Sequence, residues 1–205
     1  MEKNFRNFFA SLKIKKNKIF KMQKSWPNKY LKEIVFYIIC LVLLVVGIFY
    51  DKKIAILLVG NKEGFLYLLM KLISFLGTWF FVLVIASSFF LWKEHKRRWI
   101  LPLWLSMAIT ALLVYLLKLL IMRERPETAL ELSKTSSFPS GHASAVFSTL
   151  AILDKEFPRL KWFWLIFAVL VSYSRLYLGM HYLTDVVIGA LIGYIISLLI
   201  VKYWK

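Results

Sequence analysis

Thiols, imidazoles and acids are all scarce in this chain. A single cysteine, Cys40, excludes an internal disulfide and a cysteine-held metal cluster. Lying inside an apolar run, it reads as a small buried apolar side chain. The histidines are only His95, His142 and His181, so any imidazole chemistry has three positions to choose from. Asp and Glu number 11 against 28 Lys and Arg, a net charge of +17. Charge of either sign is missing from Ile34–Tyr50 and again from Leu72–Trp92. That last absence excludes an ordinary soluble domain, because a 205-residue chain that is 60% hydrophobic has no core large enough to hide its apolar surface. At 1.5 Å per residue, runs of about 17–21 residues cross a hydrocarbon layer of about 30 Å.

The positive charge is distributed as in a membrane protein. Lys and Arg cluster at the ends of apolar runs, where they set topology, rather than on one face of a soluble fold that would read nucleic acid. Residues 1–33 carry ten Lys or Arg against Glu2 and Glu33. Within them, Lys13–Met22 mixes basic and apolar side chains. It suits either a surface helix on anionic lipid or a tail that only obeys the positive-inside rule. No small-residue cleavage site follows the first apolar run, which is therefore expected to stay as an anchor.

The expected fold is all-α, a polytopic transmembrane bundle with spans at Ile34–Tyr50, Leu72–Trp92, Trp99–Leu117, His142–Leu153, Trp162–Ser174 and Val186–Val201. Trp and Tyr stand near several ends, as interfacial anchors do. Residues 54–71 are apolar but broken by Gly60, Lys62, Glu63 and Gly64. Read as a separate span they would reverse every later loop. Read as short interfacial helices on the outer side, they leave the basic tail, Lys93–Arg98, Asp154–Lys161 and Lys202–Lys205 together on one side. That side is then cytoplasmic, with both termini, in a plasma (inner) membrane. The expected organisation is a basic cytoplasmic tail, 1–33, and a transmembrane catalytic domain, 34–205.

Three polar islands then share the extracytoplasmic face, and ionisable groups at membrane depth are costly and usually functional. In the first, Lys118 and Arg125 are seven residues apart. On a continuing helix they share a face and suit an anion with several oxygens, with Pro126 marking the helix end. Snorkelling anchors are the other reading. In the second, Pro139-Ser140-Gly141-His142 leads into an apolar helix. Ser140 can cap it or donate to an anion, Gly141 admits close backbone approach, and the first N–H groups favour negative charge. A cap with an incidental histidine is the alternative. In the third, Ser174-Arg175 precedes His181 and Asp185. The i, i+4 spacing pairs an imidazole with a carboxylate that sets its tautomer, Arg175 offers a planar fork to phosphate oxygens, and Gly179 allows a bend between them. A structural His–Asp pair is the alternative. Together the islands hold oxyanion binders, a nucleophile, an orienting acid and a proton donor.

The pattern K-x6-R-P, P-S-G-H and S-R-x5-H-x3-D resembles the type 2 phosphatidic acid phosphatase superfamily, which includes lipid phosphate phosphatases and vanadium haloperoxidases. It is carried by Lys118, Arg125, Pro126, Pro139, Ser140, Gly141, His142, Ser174, Arg175, His181 and Asp185, with no departure inside the motifs. The resemblance implies a bacterial lipid phosphatase working through a phosphohistidine. His181 would attack phosphorus, Asp185 would orient it, and His142 would protonate the leaving alkoxide and then activate water. Lys118, Arg125, Ser140, Gly141 and Arg175 would bind the phosphoryl oxygens. No metal or other cofactor is expected, since those cations do that work. The expected partners are membrane lipids and a lipid phosphate substrate: undecaprenyl pyrophosphate, phosphatidylglycerol phosphate, phosphatidic acid or a lipid A phosphate. Two rival readings are a phosphotransferase with an alcohol acceptor and a non-enzymatic transporter of anionic lipid or phosphate.

Overall fold

The computed structural model describes residues 34–78, 97–129 and 135–204, with Leu31 and isolated positions between 84 and 92. Apart from Leu31, the tail 1–33 lies outside the described residues, as do most of 79–92, residues 93–96 and residues 130–134. The chain divides into two compact units, Met1–Val42 and Leu43–Lys205. The packing contacts and the candidate site lie in the second.

Every described element is helical. In hydrocarbon the backbone has no water to bond, and a helix satisfies it internally. The elements are α1 (Ile34–Leu58), α2 (Phe65–Thr78), α3 (Ile100–Ile121), α4 (Gly141–Glu156), α5 (Lys161–Tyr177) and α6 (Leu183–Tyr203). Short 3-10 turns, Arg97–Trp99 and Pro158–Leu160, lead into α3 and α5. Among the described residues, three helices are long and apolar enough to cross a membrane: α1, Arg97–Ile121 and α6. With 16 and 17 residues, α4 and α5 are shorter.

Residues 54–58 do not form a separate interfacial helix. Positions up to Leu58 continue α1, and Phe65 onward opens α2, leaving only 59–64 as the connection. Asp51 explains the difference. A carboxylate after an apolar run looks like the end of a span, yet its side chain is buried and bonded to Arg123 and Thr184, so the helix runs through it. The connection is seated on α5: the Gly60 N–H donates to the Tyr177 carbonyl at 3.0 Å, and a Cβ on Gly60 would overlap the Tyr177 ring.

The centre of the second unit is α4, which packs most extensively against α6 and also against α3 and α5. Its contact with α6 is backbone on backbone. Gly189 and Gly193 face Ser140, Ser144 and Ser148, and a Cβ on Gly193 would overlap the Ser144 carbonyl oxygen. Small residues four apart on both helices allow this approach, as in lipid-embedded packing generally. Hydroxyls join the helices further: Ser106 donates to the Ser148 carbonyl, and the Ala151 N–H donates to Ser197 Oγ at 3.2 Å. The bundle buries hydroxyls beside an apolar core that includes Leu103, Phe147 and Ile152. Leu112, Leu116 and Leu120 of α3, and Trp162, Phe163 and Ile166 of α5, face outward, while serines and threonines are buried.

Gly193→Ala is therefore expected to destabilise the bundle by about 1–3 kcal/mol, the usual cost of overpacking. Gly141→Ala, whose added Cβ would meet nothing within 4 Å, should leave unfolding nearly unchanged. Thermal unfolding in one detergent, compared between the two variants, checks this.

Candidate active site

Four helix ends meet on one side of the second unit: the C-termini of α3 and α5 and the N-termini of α4 and α6. The chain turns there in a particular way. After Ile121, Met122 takes a left-handed conformation (φ 47°) and its N–H bonds the Lys118 carbonyl, closing α3 four residues before Pro126. Lys118 and Arg125 are thus not two turns apart on one continuous helix, as their spacing suggested. Lys118 stays on α3, while Arg125 lies in the following irregular segment. They are brought together all the same. Lys118 Nζ donates to the Ser136 carbonyl at 2.5 Å. Arg125 Nη1 donates to the Met180 carbonyl at 2.9 Å, and its Nε and Nη2 donate to Thr135 at 3.2 Å.

Ser140 is the residue before α4 and is fully buried. Its N–H donates to the Asp185 carbonyl at 2.9 Å, tying the start of α4 to the start of α6. Its Oγ makes no capping bond and has no hydrogen-bond partner. A buried hydroxyl without a partner costs about 1–3 kcal/mol, so this Oγ is an acceptor or donor held in reserve. Beside it Gly141 borders open space, and the free N–H groups of α4 begin there. His142 follows on α4, packed against Gly77 of α2, where a Cβ would stand 3.3 Å from the imidazole Cδ2.

Arg175 is buried near the end of α5, and its Nη1 donates to Ser74 Oγ of α2. Gly179, at φ +67°, makes the turn between α5 and His181. Its missing Cβ would stand 2.8 Å from Thr128 and Val59, so both backbone conformation and space require glycine. His181 precedes α6 rather than lying on it, since the helix begins at Leu183. Its pairing with Asp185 comes from the turn and not from helical spacing. His181 Nδ1 stands 3.6 Å from Asp185 Oδ2, a pairing distance longer than a formed hydrogen bond. Asp185 Oδ2 also accepts the Tyr182 N–H at 2.9 Å, and its other oxygen accepts Arg123 Nη1 at 2.7 Å. With Nδ1 turned to the carboxylate, Nε2 is the nitrogen on the far side of the ring.

The remaining groups surround this imidazole. His142 lies within electrostatic reach of Arg175, His181, Arg125 and Lys118, and Lys118 within reach of Arg125, Asp185 and Arg175. Burial pushes His181 down to about 4, with Arg175 and Arg125 adding to the push and Asp185 pulling the other way. The imidazole is therefore neutral at ordinary pH. All eight residues singled out by sequence converge on one side of the bundle.

Four others were missed. Asp51 of α1 accepts the Thr184 N–H at 3.1 Å and the Thr184 hydroxyl, and Arg123 bridges Asp51 (2.9 Å) and Asp185 (2.7 Å). Ser74 holds Arg175. Arg123 could have been noticed as a third cation beside Arg125, and Asp51 as the lone carboxylate between Glu33 and Glu63.

A family model described as the PAP2 superfamily matches residues 99–205. The chain belongs to the PAP2 superfamily. It is an all-helical integral membrane protein of that group. A phosphatidylglycerophosphatase B from Bacillus subtilis is 36% identical over 132 residues, covering 58% of this chain and 63% of that protein. An undecaprenyl-diphosphatase from Sulfolobus acidocaldarius is 48% identical over 69 residues, 32% of each. The matched region thus spans less than two thirds of either relative. A crystal structure of the first transmembrane PAP2-type phosphatidylglycerolphosphate phosphatase from Bacillus subtilis is similar with a TM-score of 0.70 and 26% identity, covering 83% of this chain and 94% of that one.

Protonating a buried, neutral imidazole opposes folding. Between the ordinary value of 6.5 and the folded value of about 4, the unfolded chain binds more protons, so acidification across that window should lower stability. His181→Gln should lessen this dependence, measured as thermal unfolding in detergent from pH 7 to 4.

Proposed function

We propose that this PAP2 protein is a membrane lipid phosphatase that cleaves a phosphate monoester or pyrophosphate through a phosphohistidine. One geometric arrangement carries the reading: an imidazole backed by a carboxylate stands among three cations, a second imidazole and a helix N-terminus. In the first step His181 Nε2 attacks phosphorus, the P–O bond to the lipid breaks, and protonated His142 gives its proton to the leaving oxygen. Asp185 stabilises the positive charge that forms on His181. In the second step His142 takes a proton from water, the water oxygen attacks phosphorus, and the N–P bond breaks to release phosphate. Lys118, Arg125, Arg175, Ser140 Oγ and the Gly141 N–H stabilise the oxygens, whose charge grows in each transition state. Neutral His181 suits a nucleophile, because protonation would remove its lone pair.

The substrate class follows from setting. Relatives named for undecaprenyl diphosphate and phosphatidylglycerophosphate share the superfamily, and both names denote phosphates on membrane lipids. We read the chain as six spans, with the catalytic helix ends extracytoplasmic and both termini cytoplasmic in a plasma membrane. Two features support this. Groups from the C-terminal ends of α1, α3 and α5 and from α2 and the N-termini of α4 and α6 cluster together, as an up-and-down bundle requires. The basic residues Arg97, Arg98, Lys155, Lys161 and Lys202 belong to the opposite ends of the helices.

Phosphate release from a solubilised lipid phosphate should persist in excess EDTA; loss of turnover that a divalent cation restores would refute the cation-only mechanism. His181→Ala should abolish turnover while the protein stays folded, and His142→Ala should slow it by roughly 10²–10⁴-fold. Because His181 protonates only near 4, the acid limb set by the enzyme should fall well below 6.5. A pH profile of kcat/KM, read against the substrate's own phosphate titration, tests that.

A further inference from the structure

Behind Asp185, on the side away from His181, lies a chain of polar contacts that the proposed reaction does not use directly. Arg123 Nη1 donates to Asp185 Oδ1 and to Thr184 Oγ1, each at 2.7 Å. Its other nitrogen, Nη2, donates to Asp51 Oδ2 at 2.9 Å. Asp51 in turn accepts the Thr184 N–H and hydroxyl. Gly47, one turn earlier on α1, leaves room for this: a Cβ there would stand 2.7 Å from Thr184 Cγ2. The guanidinium also lies over the Tyr182 ring, 4.1 Å from its centroid. Asp51 and Asp185 are both buried.

The geometry points to Asp51 and Arg123 as positioning residues for the nucleophile: Arg123 clamps the carboxylate that faces His181, and Asp51 both holds Arg123 in place and cancels its charge. This rests on the phosphohistidine reading. The charge count makes the second role necessary. Asp185 paired with Arg123 alone is a neutral unit and gives little support to an imidazole becoming positive. With Asp51 added, two carboxylates and one guanidinium leave one net negative charge behind the ring. Arg123 therefore supplies rigidity to Asp185, and Asp51 restores the negative charge that this rigidity would remove.

The other charged groups facing His181 are Asp185 from α6, Arg175 from α5, Arg125 from the segment between α3 and α4, and His142 from α4. Apart from Asp185, which belongs to the trio, these groups are unchanged by substitution at 51 or 123, so shifts in the titration of His181 report on the trio. Asp51→Asn leaves a neutral pair and makes protonation of His181 harder. Arg123→Gln leaves two carboxylates and makes it easier. The two substitutions move the acid limb in opposite directions, which a general loosening of the fold does not do.

The test uses the full chain in detergent with a short-chain phosphatidic acid as probe, measuring kcat and KM across pH 3.5–9. We expect Asp51→Asn and Arg123→Gln each to lower kcat about ten- to a hundredfold with little change in KM, as loss of an orienting partner does. The acid limb should fall in Asp51→Asn and rise in Arg123→Gln. In the double variant it should return toward that of the parent while kcat stays low. Arg123→Lys, which keeps the charge but not the fork, should lose kcat and leave the limb in place. Limbs that move together, or do not move, overturn the inference. If Asp51→Asn does not accumulate, the opposed behaviour of Arg123→Gln and the double variant decides. His181→Ala run in parallel separates the two levels. Turnover surviving in it removes the phosphohistidine reading itself. Its inactivity with unmoved limbs removes only the roles given to Asp51 and Arg123.

Discussion

Two backbones in contact underlie everything else in this bundle. At Gly189 and Gly193, α6 approaches α4 so closely that a methyl group would collide with the serine backbone opposite. The same contact extends upward into the Ser140 N–H bond to the Asp185 carbonyl. The segment carrying Ser140 and His142 is thereby locked in register with the one carrying His181 and Asp185, though some 40 residues separate them. In lipid there is little hydrophobic gain in pressing helices together, so close van der Waals packing and hydroxyl bonds do what an oily core does in water. The small residues along the contact between α4 and α6 follow from that one constraint.

The charges are arranged in layers around the imidazole. Lys118, Arg125 and Arg175 stand on the side of the open space, and each is held by a carbonyl or hydroxyl partner: Ser136, Met180 and Thr135, and Ser74. These acceptors help fix the cations in place. The carboxylates are kept elsewhere, behind His181, where Arg123 ties them together.

How much of this was legible in sequence depends on distance along the chain. The helices were readable because uncharged apolar runs admit little else, and α3, α5 and α6 differ from expectation only at their ends. The motif residues were readable because their chemical types are rare in such a chain. What sequence did not show was geometry set by turns. The left-handed Met122 moves Arg125 off its helix, and His181 meets Asp185 through the bend at Gly179 rather than along a helical face. Residues 54–58 belong to the first span and not to a surface helix, because Asp51, which looks like the exit from a membrane span, is buried inside the bundle. Its burial depends on Arg123 and Thr184, 72 and 133 residues away, and no local pattern records such partners. The glycine pair on α6 was visible, but its meaning required knowing which serines it faced.

Asp51 also settles the depth at which α1 meets the rest of the bundle. From Leu43 onward this helix presents Leu43, Val46, Ile48 and Phe49 to its surroundings, side chains suited to acyl tails. The tilt of such a helix follows the thickness of the bilayer around it. A carboxylate on it that grips the clamp on Asp185 carries that tilt inward. On the phosphatase reading, the bilayer that supplies the substrate would also load the residue proposed to aim the imidazole.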